Sequence, residues 1–278
     1  MKVLLANPPW SINGKQGVRA GSRWPHLKIP EEEDYIPFPF FLAYSASLLK
    51  KSNIDVLLVD AIAKGMSDTK FLDKIKDYKP NIVLIEVSTP SLEIDLDYAR
   101  KIKKLDNSIK IVLSGLDMNI RNHKFLEKNK FIDFVLVGEY EFTLLGLVNC
   151  LKNKDNLSKV LGLIYRNKDK IIINKNRPLT DVDKLPWPLR KQLPMRKYHD
   201  CPGGIPQPSV QVLASRGCPY HCIFCAWPQI MYHGSNYRAR NPVDVVDEIE
   251  FLVRKKGFKS VYFDDDTFNI GRERMLKI

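Results

Sequence analysis

The sequence predicts an α/β protein, a doubly wound parallel sheet followed by further β/α units. Three observations carry that prediction. Residues 1–155 contain short apolar runs that do not alternate with polar residues, the pattern of strands buried on both faces. Stretches of helical periodicity separate these runs, as the crossovers of a parallel sheet require. Past residue 205 a strand, a helix and another strand follow in that order.

Lys2–Ala6 is a strand stopped by Asn7-Pro8-Pro9. Pro39–Lys51 has helical periodicity, Asp55–Val59 is a second strand, and Thr69–Tyr78 is a helix. Asn81–Val87 is a strand ending at Ser88-Thr89-Pro90. Leu92–Leu105 is a helix with Lys and Arg in its last turns, as the helix dipole favours. Lys110–Leu113 is a strand closed by Ser114-Gly115, Phe131–Val137 a strand closed by Gly138-Glu139, and Phe142–Leu151 the final helix.

In such sheets ligands bind at the carboxyl ends of the strands. That edge consists of Asn7, Pro8, Pro9, Ser88, Thr89, Ser114, Gly115, Gly138 and Glu139. The alternative is that these are only the turns any such sheet needs. No GxGxxG follows the first strand, so the dinucleotide fingerprint is absent. Residues 13–37 read as a long polar loop, with Gly14, Gly17, Gly21 and an acidic run at Glu31–Asp34. A loop of that length is commonly functional, and this one would lie over the binding edge.

The chain has 278 residues, 44% of them hydrophobic and 27% charged, and a formal charge of +12. These are globular values. No apolar run reaches the ~18 residues of a membrane span, and the N-terminus turns polar too quickly for a signal peptide. A cytoplasmic location is the expectation. Residues 1–150 hold 21 basic and 19 acidic side chains, whereas residues 151–205 hold 13 and 5. Most of the excess charge therefore lies between two near-neutral parts. Its lysines are scattered and form no helical stripe, which argues against nucleic acid and for a solvated surface, one able to dock an acidic electron donor. Within this connector, residues 156–205, a hairpin over Leu161–Arg166 and Lys170–Ile173 precedes a proline-rich strap at Leu185-Pro186-Trp187-Pro188.

Of five cysteines, Cys150 and Cys201 read as structural or incidental thiols. The other three, Cys218, Cys222 and Cys225, have the spacing C-x3-C-x2-C and follow a strand and a Gly turn, Gln211–Gly217. Three thiolates on one short loop suit a soft metal centre. A cubane iron–sulfur cluster normally takes four cysteines, so three would leave one iron open. Zinc is the competing reading, with His221, His199 or Cys201 as fourth ligand, but no second Cys pair is present. A disulfide is disfavoured in a leaderless chain.

C-x3-C-x2-C after a strand, with aromatic Phe224 before the last Cys, resembles the radical S-adenosylmethionine superfamily. The resemblance implies that Cys218, Cys222 and Cys225 hold a 4Fe–4S cluster whose fourth iron chelates S-adenosylmethionine. It further implies reductive cleavage to a 5′-deoxyadenosyl radical. The segment from Tyr237 resembles the opening of the first barrel helix, with Asn241 as N-cap, Pro242 at its first position, and Lys256 before a stop at Gly257. The next strand, Ser260–Phe263, runs into Asp264, Asp265 and Asp266. Strand ends face the active site of a β/α barrel. The resemblance makes Phe224, Arg240 and these three aspartates candidate S-adenosylmethionine contacts, although relatives often carry Gly-Gly-Glu there; a solvated acidic turn is the alternative.

The Asn-Pro-Pro loop, the Gly138-Glu139 ending and the Leu-Pro-Trp-Pro strap together resemble the cobalamin-binding radical enzymes. That implies a Rossmann-like cobalamin-binding domain over 1–155 and the start of a partial TIM barrel over 206–278. Cobalamin would rest on the edge residues above. No His follows Asp at the spacing of Asp-x-His-x-x-Gly, so no cobalt ligand from that motif is expected. The resemblance implies a reduced ferredoxin or flavodoxin as electron donor and a small-molecule substrate, which is methylated at an unactivated carbon or closed into a ring. A methylthiotransferase is disfavoured because residues 1–149 contain no Cys. The alternative class is a non-catalytic cobalamin- or partner-binding protein. A barrel needs about 200–250 residues, so the 73 after residue 205 imply a fragment, a truncated product or a split enzyme whose second chain supplies the rest.

Overall fold

A computed structural model of the chain describes residues 1–18, 25–30, 35–199 and 204–278. Cys201, Gly21 and the run Glu31–Asp34 lie outside the described residues. The first strand, β1 (Lys2–Asn7), is followed by short strands β2 (Ser11–Ile12), β3 (Lys15–Val18) and β4 (His26–Lys28). Next come α1 (Phe40–Lys51), β5 (Asp55–Asp60), α2 (Ala61–Lys64), α3 (Asp68–Tyr78), β6 (Ile82–Ser88) and α4 (Leu92–Leu105). The α/β unit continues through β7 (Lys110–Leu116), α5 (His123–Lys128), β8 (Phe134–Leu136), α6 (Glu141–Asn153), β9 (Leu163–Asn167) and β10 (Lys170–Ile173). The last part comprises β11 (Ser209–Val212), β12 (Ser215–Arg216), α7 (Ala226–Ile230), β13 (Arg238–Ala239), α8 (Pro242–Glu250), β14 (Ser260–Phe263) and α9 (Arg272–Lys277).

Seven strands form the main sheet in the order β10-β9-β8-β7-β6-β1-β5. The pairs from β5 through β8 are parallel, and the hairpin β9–β10 extends the sheet antiparallel beyond residue 155. Every residue of β6 is buried, as a central strand covered on both faces should be. Side chains alternate between two cores. Val3 and Leu5 join α1 and α6 on one face, and Leu4 and Ala6 join α3 and α4 on the other. Strand order reverses between β1 and β6, the switch point where open α/β sheets form their ligand crevice.

Two expectations are corrected. Residues 13–37 are not wholly loop, because β2, β3 and β4 form a three-stranded antiparallel sheet. Trp10 closes it, since a Cβ on Gly17 would stand 2.2 Å from the indole, and the Gly17 N–H donates to the Trp10 carbonyl at 2.7 Å. Strand β7 does not stop at Ser114-Gly115 but runs on to Leu116. Gly115 takes φ +125° and opposes Val87 so closely that a Cβ would lie 2.2 Å from the Val87 carbonyl oxygen. The glycine permits a tight strand approach; it does not end the strand.

The connector binds both parts together. Leu189 N donates to Ala43 O at 2.9 Å. The Gln192 amide bridges Leu58 N (2.6 Å) and Val56 O (3.2 Å) of β5. Trp187 Nε1 donates to Asp244 (2.9 Å) and Arg190 to Glu248 (2.9 Å). Strands β11 and β14 pair in parallel over a small core of Val210, Val212, Val245 and Leu252. Helix α8 starts as expected: the Asn241 side chain accepts from Val243 N at 3.0 Å, and Pro242 follows it. It ends in a π-helical turn, Phe251–Lys255, before Gly257. Asn241→Ala removes the cap of an exposed helix start and should lower stability by about 1 kcal/mol, read as a lower urea midpoint. Among the described residues no helix is long and apolar enough to cross a membrane.

Candidate functional site

The cysteine loop leaves β12 through Gly217, whose φ is +85° and whose Cβ would stand 2.6 Å from the Asn236 carbonyl oxygen. Asn236 N donates to Cys218 O (3.1 Å) and Cys225 N to Cys222 O (3.1 Å). The Thr267 hydroxyl lies 3.1 Å from the Cys218 sulfur. All three thiols are free; Cys222 is exposed, and Cys218 and Cys225 are half-buried. Phe224 is 82% exposed beside them. Among the described residues no three His, Cys, Asp or Glu side chains stand grouped as a metal would need. The donor set, three accessible thiols on one loop without regular structure, nevertheless suits a soft metal that draws the loop around it.

The acidic turn after β14 is not a solvated turn. Asp265 accepts from Ala214 N at 3.0 Å and from the Ser215 hydroxyl. Asp266 accepts from Gly217 N at 3.2 Å. Burial pushes the Asp265 carboxyl above its usual range. These carboxylates strap the strand that leads into the cysteines. Asp264 and Asp266 also line a cavity of about 20 Å³ with Phe40, Phe41, Trp227 and Tyr232. Arg240 is held by Leu213 O (2.6 Å), Glu248 (2.7 Å) and Asp244 (2.5 Å), so its guanidinium braces α8 against the β11–β12 turn.

At the sheet's carboxyl edge, Asn7 is fully buried, and both atoms of its amide lack a hydrogen-bond partner among the described residues. It borders a small cavity with Tyr35, Ile36 and Asp60. Pro8 and Pro9 are buried beside it. Ser88 is tied to Ser91 (2.9 Å between hydroxyls), Thr89 is exposed and donates to Leu116 O (3.3 Å), and Ser114 donates to Leu136 O (3.0 Å). Gly138 has φ +71°, and its Cβ would meet the His233 imidazole at 2.9 Å. Glu139 has both carboxylate oxygens committed, one to Arg216 (3.2 Å) and the other to Arg238 (2.7 Å) and Thr180 N (2.8 Å).

Two edge residues escaped the sequence reading. Asp117 is fully buried with one carboxylate oxygen unpartnered among the described residues. Arg121 donates to Ile230 O at 2.5 Å while its Nε has no partner among them. Burial, opposed by Asp117, pushes Arg121 down to about 10. Neither residue belongs to a motif or a periodic face. The signal available was their place just past a strand's carboxyl end. Asn7, Asp117 and Arg121 leave both donors and acceptors unused along this edge, which suits a ligand rimmed with amides, as a corrin is.

The family described as the B12 binding domain matches residues 34–148. An uncharacterized methyltransferase of Pyrococcus horikoshii is 30% identical over 281 residues, covering 100% of this chain and 56% of that protein. The anaerobic magnesium-protoporphyrin IX monomethyl ester cyclase of Cereibacter sphaeroides is 27% identical, covering 100% of this chain and 42% of its own length. Two solved structures share the fold. The radical S-adenosylmethionine methyltransferase TsrM from Kitasatospora setae, with tryptophan substrate and a cosubstrate analogue, gives a TM-score of 0.67 at 19% identity over 98% of this chain and 49% of that one. The cobalamin-dependent radical enzyme OxsB, with aqua-cobalamin and S-adenosylmethionine bound, gives 0.70 at 18% over 96% and 34%. Residues 34–148 therefore match the B12 binding domain, and the chain shares its fold with radical S-adenosylmethionine enzymes, one of them solved with cobalamin bound. It spans about half the length of the curated relatives it matches.

Proposed function

We propose that this chain binds cobalamin on the carboxyl edge of its main sheet and a 4Fe–4S cluster on Cys218, Cys222 and Cys225, as part of a radical S-adenosylmethionine enzyme. The carrying observation is that one body brings together a three-thiol loop and an edge with unused buried polar groups. When bound, the cluster supplies the electron that cleaves S-adenosylmethionine, and cobalamin a carrier for methyl transfer. The chain's own residues bind and exclude water. Asn7, Asp117 and Arg121 offer hydrogen bonds to the corrin's amides. Gly115 lets β6 and β7 approach closely, Gly138 makes room for the His233 imidazole, and Phe40, Phe41, Trp227 and Tyr232 wall the space between edge and loop. Asp264 and Asp266 line the same space, and we read them as the carboxylates that would receive the ammonium of S-adenosylmethionine. The relatives' printed names favour methyl transfer first and ring closure second; we take the methyl acceptor to be an unactivated carbon of a small molecule, the ring closure to be an oxidation, and the electron donor to be a reduced ferredoxin or flavodoxin.

The test is anaerobic loading of the full chain with iron, sulfide and hydroxocobalamin, followed by gel filtration. Co-elution of corrin and about four irons with the protein is expected, together with S-adenosylhomocysteine or 5′-deoxyadenosine on reduction with S-adenosylmethionine. Free passage of the corrin would remove the sheet's role. Stoichiometric zinc in place of iron would remove the cluster. Both cofactors bound without either product would favour the non-catalytic binding protein.

Asn7→Leu separates binding from folding. It deletes two buried atoms without partners, so stability should hold or rise by about 1 kcal/mol. Retention of hydroxocobalamin should fall about tenfold or more, measured by titrated absorbance, since two lost hydrogen bonds at about 0.5–1.5 kcal/mol each come to about 1–3 kcal/mol.

A further inference from the structure

We propose that Arg216 is a positioning residue, whose buried guanidinium holds the cysteine loop in one orientation over the sheet's carboxyl edge. This rests on the reading that the loop takes a cluster and the edge takes cobalamin. Arg216 precedes Cys218 by two residues and ends β12. Its Nη1 lies 3.2 Å from Glu139 and its Nη2 2.6 Å from Glu141, and all three side chains are at most 3% exposed. The same guanidinium lies over the rings of Phe41 (4.6 Å) and Tyr44 (4.9 Å) of α1.

Strand β13 repeats the arrangement. Arg238 is paired with Arg216 across the β12–β13 ladder. It reaches the second oxygen of Glu139 at 2.7 Å and Thr180 O at 2.8 Å. Both strands that flank the cysteine loop are therefore anchored on one carboxylate. Glu139 immediately follows Gly138, whose bare backbone closes β8 at the cofactor edge. A single side-chain pair thus separates the edge from the loop.

Stability alone does not account for this network. Taking four charges out of water costs several kcal/mol for each ion, and well-packed apolar residues often stabilise as much or more. What apolar packing lacks is direction. A planar guanidinium that lies in ion-pair contact with two carboxylates and over two rings makes all four contacts in one arrangement only. Lysine carries the charge without the fork.

The test uses the full chain with Arg216→Met, Arg216→Lys and Glu139→Gln, and Arg254→Met of the exposed Arg254–Glu250 pair as control. In the cofactor-free protein, hydrogen exchange should show about a hundredfold loss of protection in residues 213–218 and 237–240 of Arg216→Met, with β6 unchanged. In the loaded protein, pulsed EPR between the reduced cluster and cob(II)alamin should give one narrow distance in the wild type. A broadened distribution is expected in Arg216→Met at equal iron and corrin content, with Arg216→Lys in between. Unchanged exchange and an unchanged narrow distance in Arg216→Met would overturn the proposal, as would equal broadening in Arg254→Met. If Arg216→Met does not fold, Glu139→Gln carries the same expectations. Loss of protection throughout β6 in both variants would make the network an ordinary core element and overturn the positioning role. If the wild type retains neither cofactor, the proposed function fails while the exchange measurement still decides the clamp.

Discussion

Cys222→Ala should leave the chain without bound iron after anaerobic reconstitution, down to the background of a thiol-free control. The size of the effect follows from ligand count. A cluster held by three cysteines has one iron open from the start, and removing a thiolate leaves two protein ligands for a cubane that normally has four. The fold should not respond. Cys222 is free and exposed, so the urea midpoint should move by no more than about 0.5 kcal/mol equivalent. Iron loss with an unchanged midpoint separates ligation from structure. Full iron retention in Cys222→Ala would show that the metal sits elsewhere. The half-buried Cys218 is a poorer choice, since Thr267 contacts its sulfur at 3.1 Å.

Gly115→Ala should be the most destabilising small substitution in the sheet, about 4 kcal/mol. Two penalties add. A non-glycine residue at φ +125° carries backbone strain of about 1–3 kcal/mol. The new methyl also meets the Val87 carbonyl oxygen at 2.2 Å between β6 and β7, an overpacking worth about 1–3 kcal/mol more. Against a typical total of about 5–15 kcal/mol, the variant should unfold at much lower urea and accumulate as insoluble protein. Gly14→Ala is the internal comparison. Gly14 has φ +79° with nothing within 4 Å of the added carbon, so it carries the backbone strain alone. Equal losses at the two positions would mean that the strand clash is relieved by a shift of β6 against β7.

The doubly wound sheet was legible because its signal is local. Ile82–Ser88 is apolar without a break, and a strand of that kind has nowhere to lie except between two layers. Helix Leu92–Leu105 was legible through its period and its charged ends. Gly115 was misread for an equally physical reason. Glycine commonly marks a turn, and only the neighbouring strand reveals that the missing Cβ makes room for Val87. Strands β2–β4 stayed hidden because two to four mostly polar residues carry no periodicity.

The site was legible unevenly. Cysteine spacing is a one-dimensional property, so Cys218, Cys222 and Cys225 could be named outright. The aspartates after β14 were placed at the right strand end, but burial decided their character, and burial comes from Ala214, Ser215 and Gly217 about fifty residues upstream. Glu139 was read as an edge residue open to a ligand. Its partner Arg216 is 77 positions away, and no local pattern announces such a pair. Asp117 and Arg121 became candidates only when their neighbours were seen to leave atoms unpartnered.

The Gln192 side chain carries a consequence for association. Its amide presents one carbonyl and one N–H to Leu58 N and Val56 O, as a peptide group of a neighbouring strand would. Strand β5 is the terminal member of the sheet on that side. A free strand border is a template for another chain's backbone, and proteins suffer aggregation when it is left open. Here a glutamine imitates that missing neighbour for a single ladder step and closes the border to intruders. Among the described residues no side chain is seen to do the same for the opposite border, β10, where Ile173 is 55% exposed. Strand addition between copies of this protein, where it occurs, will therefore begin at β10.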